Sequence, residues 1–225
     1  MQALSNGDAA VGTQSLRDAL ADQWVVPVLR YQAQEVYETA VALHAGGLHL
    51  VEITMSTEGV FEVARALVEQ GVTVGIGTIT DPASVHRAAE VGASFAVSFC
   101  NPPGFLRAAM DTGLLAVPGA LTPSECFAAQ SGGARYVKIF SARIGGPEYI
   151  RDLVPVLPGL QFVASGGIST DEAALRPWFH AGAALVAVGR ELGTAGTVGT
   201  AEVTRRAVGL GGVRDALRAG GSPAR

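Results

Sequence analysis

A glycine followed by a short apolar run recurs along most of this 225-residue chain. Gly47, Gly71, Gly92, Gly113, Gly133, Gly159 and Gly182 each open such a run, and they fall 20 to 26 residues apart. That spacing holds one short strand, a turn and a helix of about three turns. A glycine just past a helix can take the left-handed conformation that ends it. Near-continuously apolar runs, such as Ala183-Ala184-Leu185-Val186-Ala187-Val188, suit strands buried on both faces of a parallel sheet. The stretches between them are amphipathic. In 82–91, Val85, Ala88, Ala89 and Val91 can face inward, with His86, Arg87 and Glu90 outward. An eighth run, Trp24-Val25-Val26-Pro27-Val28-Leu29, precedes the first glycine, behind a short helix closing over 18–22. Eight strands alternating with helices predict an α/β fold, a parallel (β/α)8 TIM barrel in a single domain. An open doubly wound sheet is the alternative that periodicity leaves standing. The barrel is expected over 13–219, with flexible ends at 1–12 and 220–225.

Composition narrows the function classes. An apolar fraction of 48% with 16% charged residues suits a compact globular protein. A net charge of -4 gives no basic face for nucleic acid or an anionic membrane. No run reaches the ~18 apolar residues of a membrane-spanning helix, and the amino terminus lacks the pattern of a signal peptide. Cys100 and Cys126 form neither a metal motif nor a disulfide framework. A cytoplasmic location is expected.

The chain has fifteen arginines and one lysine, Lys138. It lies in Tyr136-Val137-Lys138-Ile139-Phe140, which reads as a buried strand. A guanidinium stays protonated, whereas a desolvated lysine amine can lose its proton and attack a carbonyl. The plain alternative is a paired or outward-reaching cation. A barrel puts its active site at the carboxyl ends of its strands. Those ends carry Arg30, Glu52 and Thr54, Gly77 and Thr78, Ser98, Pro118 and Gly119, Lys138, Gly166 and Gly167, and Gly189 with Arg190. Glu52 interrupts Leu50-Val51-Glu52-Ile53, where an apolar residue would otherwise pack. Either it is a structural carboxylate paired with Arg30, or it works with Lys138 across the barrel interior. A lysine that forms an imine and a carboxylate that moves protons would make Schiff-base chemistry.

Ser165-Gly166-Gly167-Ile168-Ser169 follows the seventh strand and precedes a helix near Asp171. Exposed amides there suit phosphate, and Arg190 after the eighth strand could add a charged fork. His44, His49, His86 and His180 fall away from this rim, so no metal is expected.

Several segments together resemble the 2-keto-3-deoxy-6-phosphogluconate aldolases and their 6-phosphogalactonate and 4-hydroxy-2-oxoglutarate relatives. They are Val26-Pro27-Val28-Leu29-Arg30, Gly46 through Thr54, Val74-Gly75-Ile76-Gly77-Thr78, Val117-Pro118-Gly119, Val137-Lys138-Ile139-Phe140, Gly145 through Ile150, and Ser165-Gly166-Gly167-Ile168. The resemblance implies a metal- and cofactor-independent class I aldolase, commonly a homotrimer. It would reversibly cleave a 2-keto-3-deoxy-6-phospho sugar acid to pyruvate and glyceraldehyde 3-phosphate. Lys138 would form the imine and Glu52 would shuttle protons. Arg30 and Thr78 would hold the carboxylate and keto end, and Gly166 and Gly167 the phosphate. Thr54, Pro118, Phe140, Ser165, Gly189 and Arg190 complete the expected substrate-binding set.

The chain departs from the family pattern at Ser56, where many members carry arginine, and at Ser141, where proline is usual. It departs again at Ser98-Phe99-Cys100-Asn101 and at Arg190, which stands where a serine often helps hold phosphate. Two competing readings follow: a phosphate-binding barrel isomerase or epimerase using Glu52 as its base, and an aldolase for an unphosphorylated 2-keto acid such as 4-hydroxy-2-oxoglutarate.

Overall fold

The computed structural model describes residue 16 and residues 18–219; the expected flexible ends, 1–12 and 220–225, lie outside the described residues. Helix α1 (18–23) leads into β1 (Val25–Leu29), α2 (Ala33–Ala45), β2 (Leu50–Thr54), α3 (Val60–Glu69) and β3 (Thr73–Gly77). Next come α4 (Pro82–Glu90), β4 (Phe95–Val97), α5 (Phe105–Thr112), β5 (Leu115–Val117), β6 (Gly119–Ala120) and α6 (Pro123–Ser131). The chain continues through β7 (Tyr136–Phe140), α7 (Gly146–Val156), β8 (Gln161–Ser165), α8 (Glu172–His180) and β9 (Ala183–Val188), and ends with α9 (Ala195–Val198) and α10 (Thr200–Ala219).

All pairings are parallel, in the order β5-β4-β3-β2-β1-β9-β8-β7-β6. Both ends of that order meet at Pro118. β5 pairs with β4 and β6 with β7, while the Pro118 carbonyl accepts from the Lys138 amide at 2.8 Å. Proline has no N–H to give a ladder, so the strand changes partner there. Residues 115–120 are thus one barrel position. The nine ladder segments close a ring of eight, which is the TIM barrel that the glycine repeat predicts and which excludes the open sheet.

The repeat glycines behave as their spacing demands. All seven take positive φ, between 75° and 97°. Gly113 directly caps α5 in the left-handed region, with φ 75° and ψ 8°.

Side chains alternate along each strand. Outward residues such as Val51, Ile53, Val74, Ile76, Val137 and Ile139 pack under the helices. Inward residues such as Val26, Leu50, Phe95, Leu115, Tyr136 and Leu185 fill the barrel. In α4, Val85, Ala88 and the following Val91 are buried, Ala89 is half-buried, and His86, Arg87 and Glu90 are exposed. The amino-terminal end of the barrel is closed by α1. Leu16 and Leu20 join the interior cluster, and the Gln23 side chain donates to the Val25 and Leu50 carbonyls at 2.8 and 2.7 Å while accepting from the Leu50 amide at 2.9 Å. Only the carboxyl end is left to admit a ligand. No helix among the described residues is long and apolar enough to cross a membrane.

Candidate active site

The same alternation that fills the barrel with apolar groups delivers two charges into it. In β2 the inward positions are Leu50, Glu52 and Thr54; in β7 they are Tyr136, Lys138 and Phe140. Lys138 Nζ donates to both Glu52 oxygens, at 3.1 and 3.2 Å. The two residues are 7% and 2% exposed, so the pair is shielded from water on nearly every side. Of the two readings of Glu52, the structure selects the pairing with Lys138.

Space for this pair comes from a glycine. A Cβ on Gly77 would lie 2.1 Å from Glu52 Oε1 and 2.7 Å from its Cδ. No side chain larger than hydrogen leaves the carboxylate where it is. Next to it, Thr78 holds φ at 65°, a left-handed conformation that a β-branched residue rarely adopts. Backbone bonds on both sides pin it: Met55 donates to the Gly77 carbonyl at 2.9 Å and Ile79 to Val97 at 3.1 Å. Backbone held in a costly conformation by its surroundings clusters at ligand sites.

Above the pair opens a cavity of about 210 Å³ lined by Arg30, Thr78, Phe99, Lys138 and Phe140. Arg30 is exposed on the rim and, among the described residues, no carboxylate pairs with it. The cavity thus joins a free guanidinium, a hydroxyl and a buried amine between two half-exposed aromatic rings, which suits a small anionic carbonyl compound.

Other expected residues stand off this lining. Thr54 is fully buried, with its hydroxyl 2.8 Å from that of Ser56. Pro118 is buried at the strand switch, and Ser165 is buried at the end of β8, where it registers with Phe140. Gly166 and Gly167 follow Ser165 with φ of 111° and 71°. Gly189 and Arg190 begin the turn after β9. The Arg190 charge is felt at Tyr31, where it opposes a phenol pKa raised by burial and then by Glu35. Ser98, expected on the rim, is wholly buried, and Phe99 takes the cavity-facing place instead. Alternation carries the signal for this: Phe95, Val97 and residue 99 share one face. Among the described residues no cluster of three metal-ligating side chains exists, and both cysteines are free thiols. Burial pushes the Cys126 thiol up to about 11.

A closed parallel barrel whose open end leads to a buried, carboxylate-paired lysine amine defines a class of enzyme built for amine chemistry on a carbonyl. The comparisons with known proteins are narrower. The model of the family described as KDPG and KHG aldolase matches residues 16–207, and the chain belongs to that family. It is 35% identical over 150 residues, 64% of this chain and 71% of the relative, to a probable 2-dehydro-3-deoxy-6-phosphogalactonate aldolase of Rhizobium meliloti. It is 32% identical over 154 residues, 67% of this chain and 70% of the relative, to a 2-dehydro-3-deoxy-phosphogluconate aldolase of Pseudomonas aeruginosa. A solved structure described as native KDPGal superposes with a TM-score of 0.79 at 26% identity, covering 87% of this chain and 96% of the other.

Proposed function

We propose that this chain is a class I aldolase, a carbon–carbon lyase that reversibly cleaves a 2-keto-3-deoxy-6-phospho sugar acid to pyruvate and glyceraldehyde 3-phosphate. The observation that carries this reading is the Lys138–Glu52 pair, 3.1 Å apart and buried at the floor of an open cavity. Lys138 passes a proton to Glu52 and its amine adds to the C2 ketone; loss of water then leaves a protonated imine. A base takes the proton from the C4 hydroxyl. The C3–C4 bond then breaks, its electrons flow into the imine as an enamine, and the aldehyde leaves. Protonation at C3 and addition of water release pyruvate and restore the amine. Glu52 touches Nζ and is the carboxylate placed to move these protons. Arg30 takes the C1 carboxylate as a charge-assisted fork, and Thr78 supplies a hydroxyl to the keto end. Gly166 and Gly167 receive the phosphate.

Borohydride reduction in the presence of pyruvate tests the chemistry. A mass increase located on Lys138 is expected. A clean failure in protein that still turns over its substrate points to Glu52 acting as a base without a covalent intermediate, as an isomerase or epimerase would. A panel of phosphorylated and unphosphorylated 2-keto acids, read by pyruvate release, sets the substrate; 4-hydroxy-2-oxoglutarate belongs in it.

We also place the protein in the cytoplasm as a homotrimer. The free thiols accord with a reducing compartment, and the exposed Phe127 and Ile144, at 62% and 70%, offer apolar surface for self-association. Cell fractionation and light scattering of the purified protein check these two points.

A further inference from the structure

The Gly166–Gly167 turn is approached from above by two side chains of the segment that leaves β7. A Cβ on Gly166 would lie 2.6 Å from Ser141 Oγ, and one on Gly167 would lie 3.1 Å from Arg143 Cδ and 3.3 Å from a guanidinium nitrogen. Both side chains therefore rest on the bare Cα faces of the turn. The groups assembled there can all donate hydrogen bonds. Among the described residues, the N–H groups of Gly166 and Gly167 donate to no carbonyl in the turns and loops, and no carboxylate pairs with Arg143. The carboxylate on this loop, Asp171, is occupied by the Ser169 hydroxyl at 2.9 Å. A guanidinium packed on a glycine turn, with no carboxylate to answer it, leaves a position that an anion would fill.

The geometry points to Arg143 as the residue that selects substrates carrying an anionic group at the end distant from the ketone. This rests on the aldolase reading above and assigns the distal half of the same pocket. Lys138 lies in β7 and Ser141 just beyond its end, so the nucleophile and the donor cluster can serve opposite ends of one keto acid. Arginine's planar fork matches the oxygens of a phosphate monoester. Ser141 and the two amides complete its shell, and a neutral terminal hydroxyl would leave the guanidinium unanswered. Arg143 came from no rim position on a strand. It sits in the short turn Ala142–Ile144 after β7, and only folding lays it on a glycine pair 24 residues further along.

The test compares wild type with Arg143→Ala and Arg143→Lys. One readout is kcat/KM for pyruvate release from 2-keto-3-deoxy-6-phosphogluconate and from its unphosphorylated counterpart. The other is the dissociation constant of inorganic phosphate. In Arg143→Ala the phosphorylated-to-unphosphorylated ratio is expected to fall at least about tenfold, and phosphate binding to weaken by a similar factor, as for loss of a charge-assisted hydrogen bond. Arg143→Lys, which keeps the charge and loses the fork, is expected to fall between the two. Equal loss on both substrates marks a structural role and overturns the proposal. So does phosphate binding unchanged in Arg143→Ala, or a wild-type enzyme with no preference for the phosphorylated acid. Borohydride trapping of pyruvate on the wild-type enzyme reports separately on the aldolase reading, so an enzyme that traps pyruvate but ignores phosphate refutes Arg143's role alone.

Discussion

The buried ion pair lets stability and chemistry be examined separately. Lys138 and Glu52 are 7% and 2% exposed, and each is the other's only ionic partner among the described residues. Removing one member leaves the other buried without its counter-charge. That typically costs about 3–5 kcal/mol, whereas replacing both members with apolar groups of similar size is often neutral or stabilising. For a domain of this size 1 kcal/mol moves Tm by about 2–4 °C, so Lys138→Met and Glu52→Leu are each expected to lower Tm by about 6–20 °C. The double variant is expected to recover most of that loss, so the costs of the two single changes do not add. Urea unfolding of the four proteins measures the cycle, with mass spectrometry after borohydride and pyruvate as the parallel chemical readout. Lys138→Met should gain no pyruvate adduct at residue 138, and the double variant should be stable and inert. If each single change costs less than about 1 kcal/mol and the two add within about 0.5 kcal/mol, the pair is not desolvated and coupled as described.

Gly77→Ala brings a methyl to 2.1 Å from Glu52 Oε1; because the carboxylate must move by an ångström or more, kcat is expected to fall about 100-fold in a protein that remains folded by circular dichroism. Thr78→Gly relieves a left-handed β-branched residue; chemical denaturation should show stability rising by up to about 1 kcal/mol while KM for the keto acid increases through loss of the hydroxyl. At the closed end of the barrel, His44 and His49 place their Nδ1 atoms 3.2 Å apart, and burial first, then the His49 charge, lowers the His44 pKa. A group lowered in the folded state contributes stability above its unfolded value, about 6.5 for imidazole, and that contribution is lost as pH falls through the lower folded value. Tm should therefore drop between pH 7 and pH 5, with a smaller drop in His44→Gln; an identical pH profile for both proteins would refute this.

The sequence by itself carried the architecture, since that rests on local rules. Glycines at helix ends need the left-handed region, and strands buried on both faces must be apolar throughout, so the 20-to-26-residue rhythm reports one βα unit after another. A charged residue breaking such a strand is costly, which is why Lys138 and Glu52 stood out before any contact was known. Which partner each found was a tertiary matter. Glu52 had Arg30 as an alternative match, and the closing of β2 and β7 onto one interior set it beside a lysine 86 residues away. Closure also made Pro118 the place where one strand changes neighbours. It buried Ser98 and aimed Phe99 at the cavity, and it laid Arg143 on a distant pair of glycines. Periodicity fixes which face of its own strand a residue occupies, whereas the distance between faces of separate strands depends on how the ring shuts.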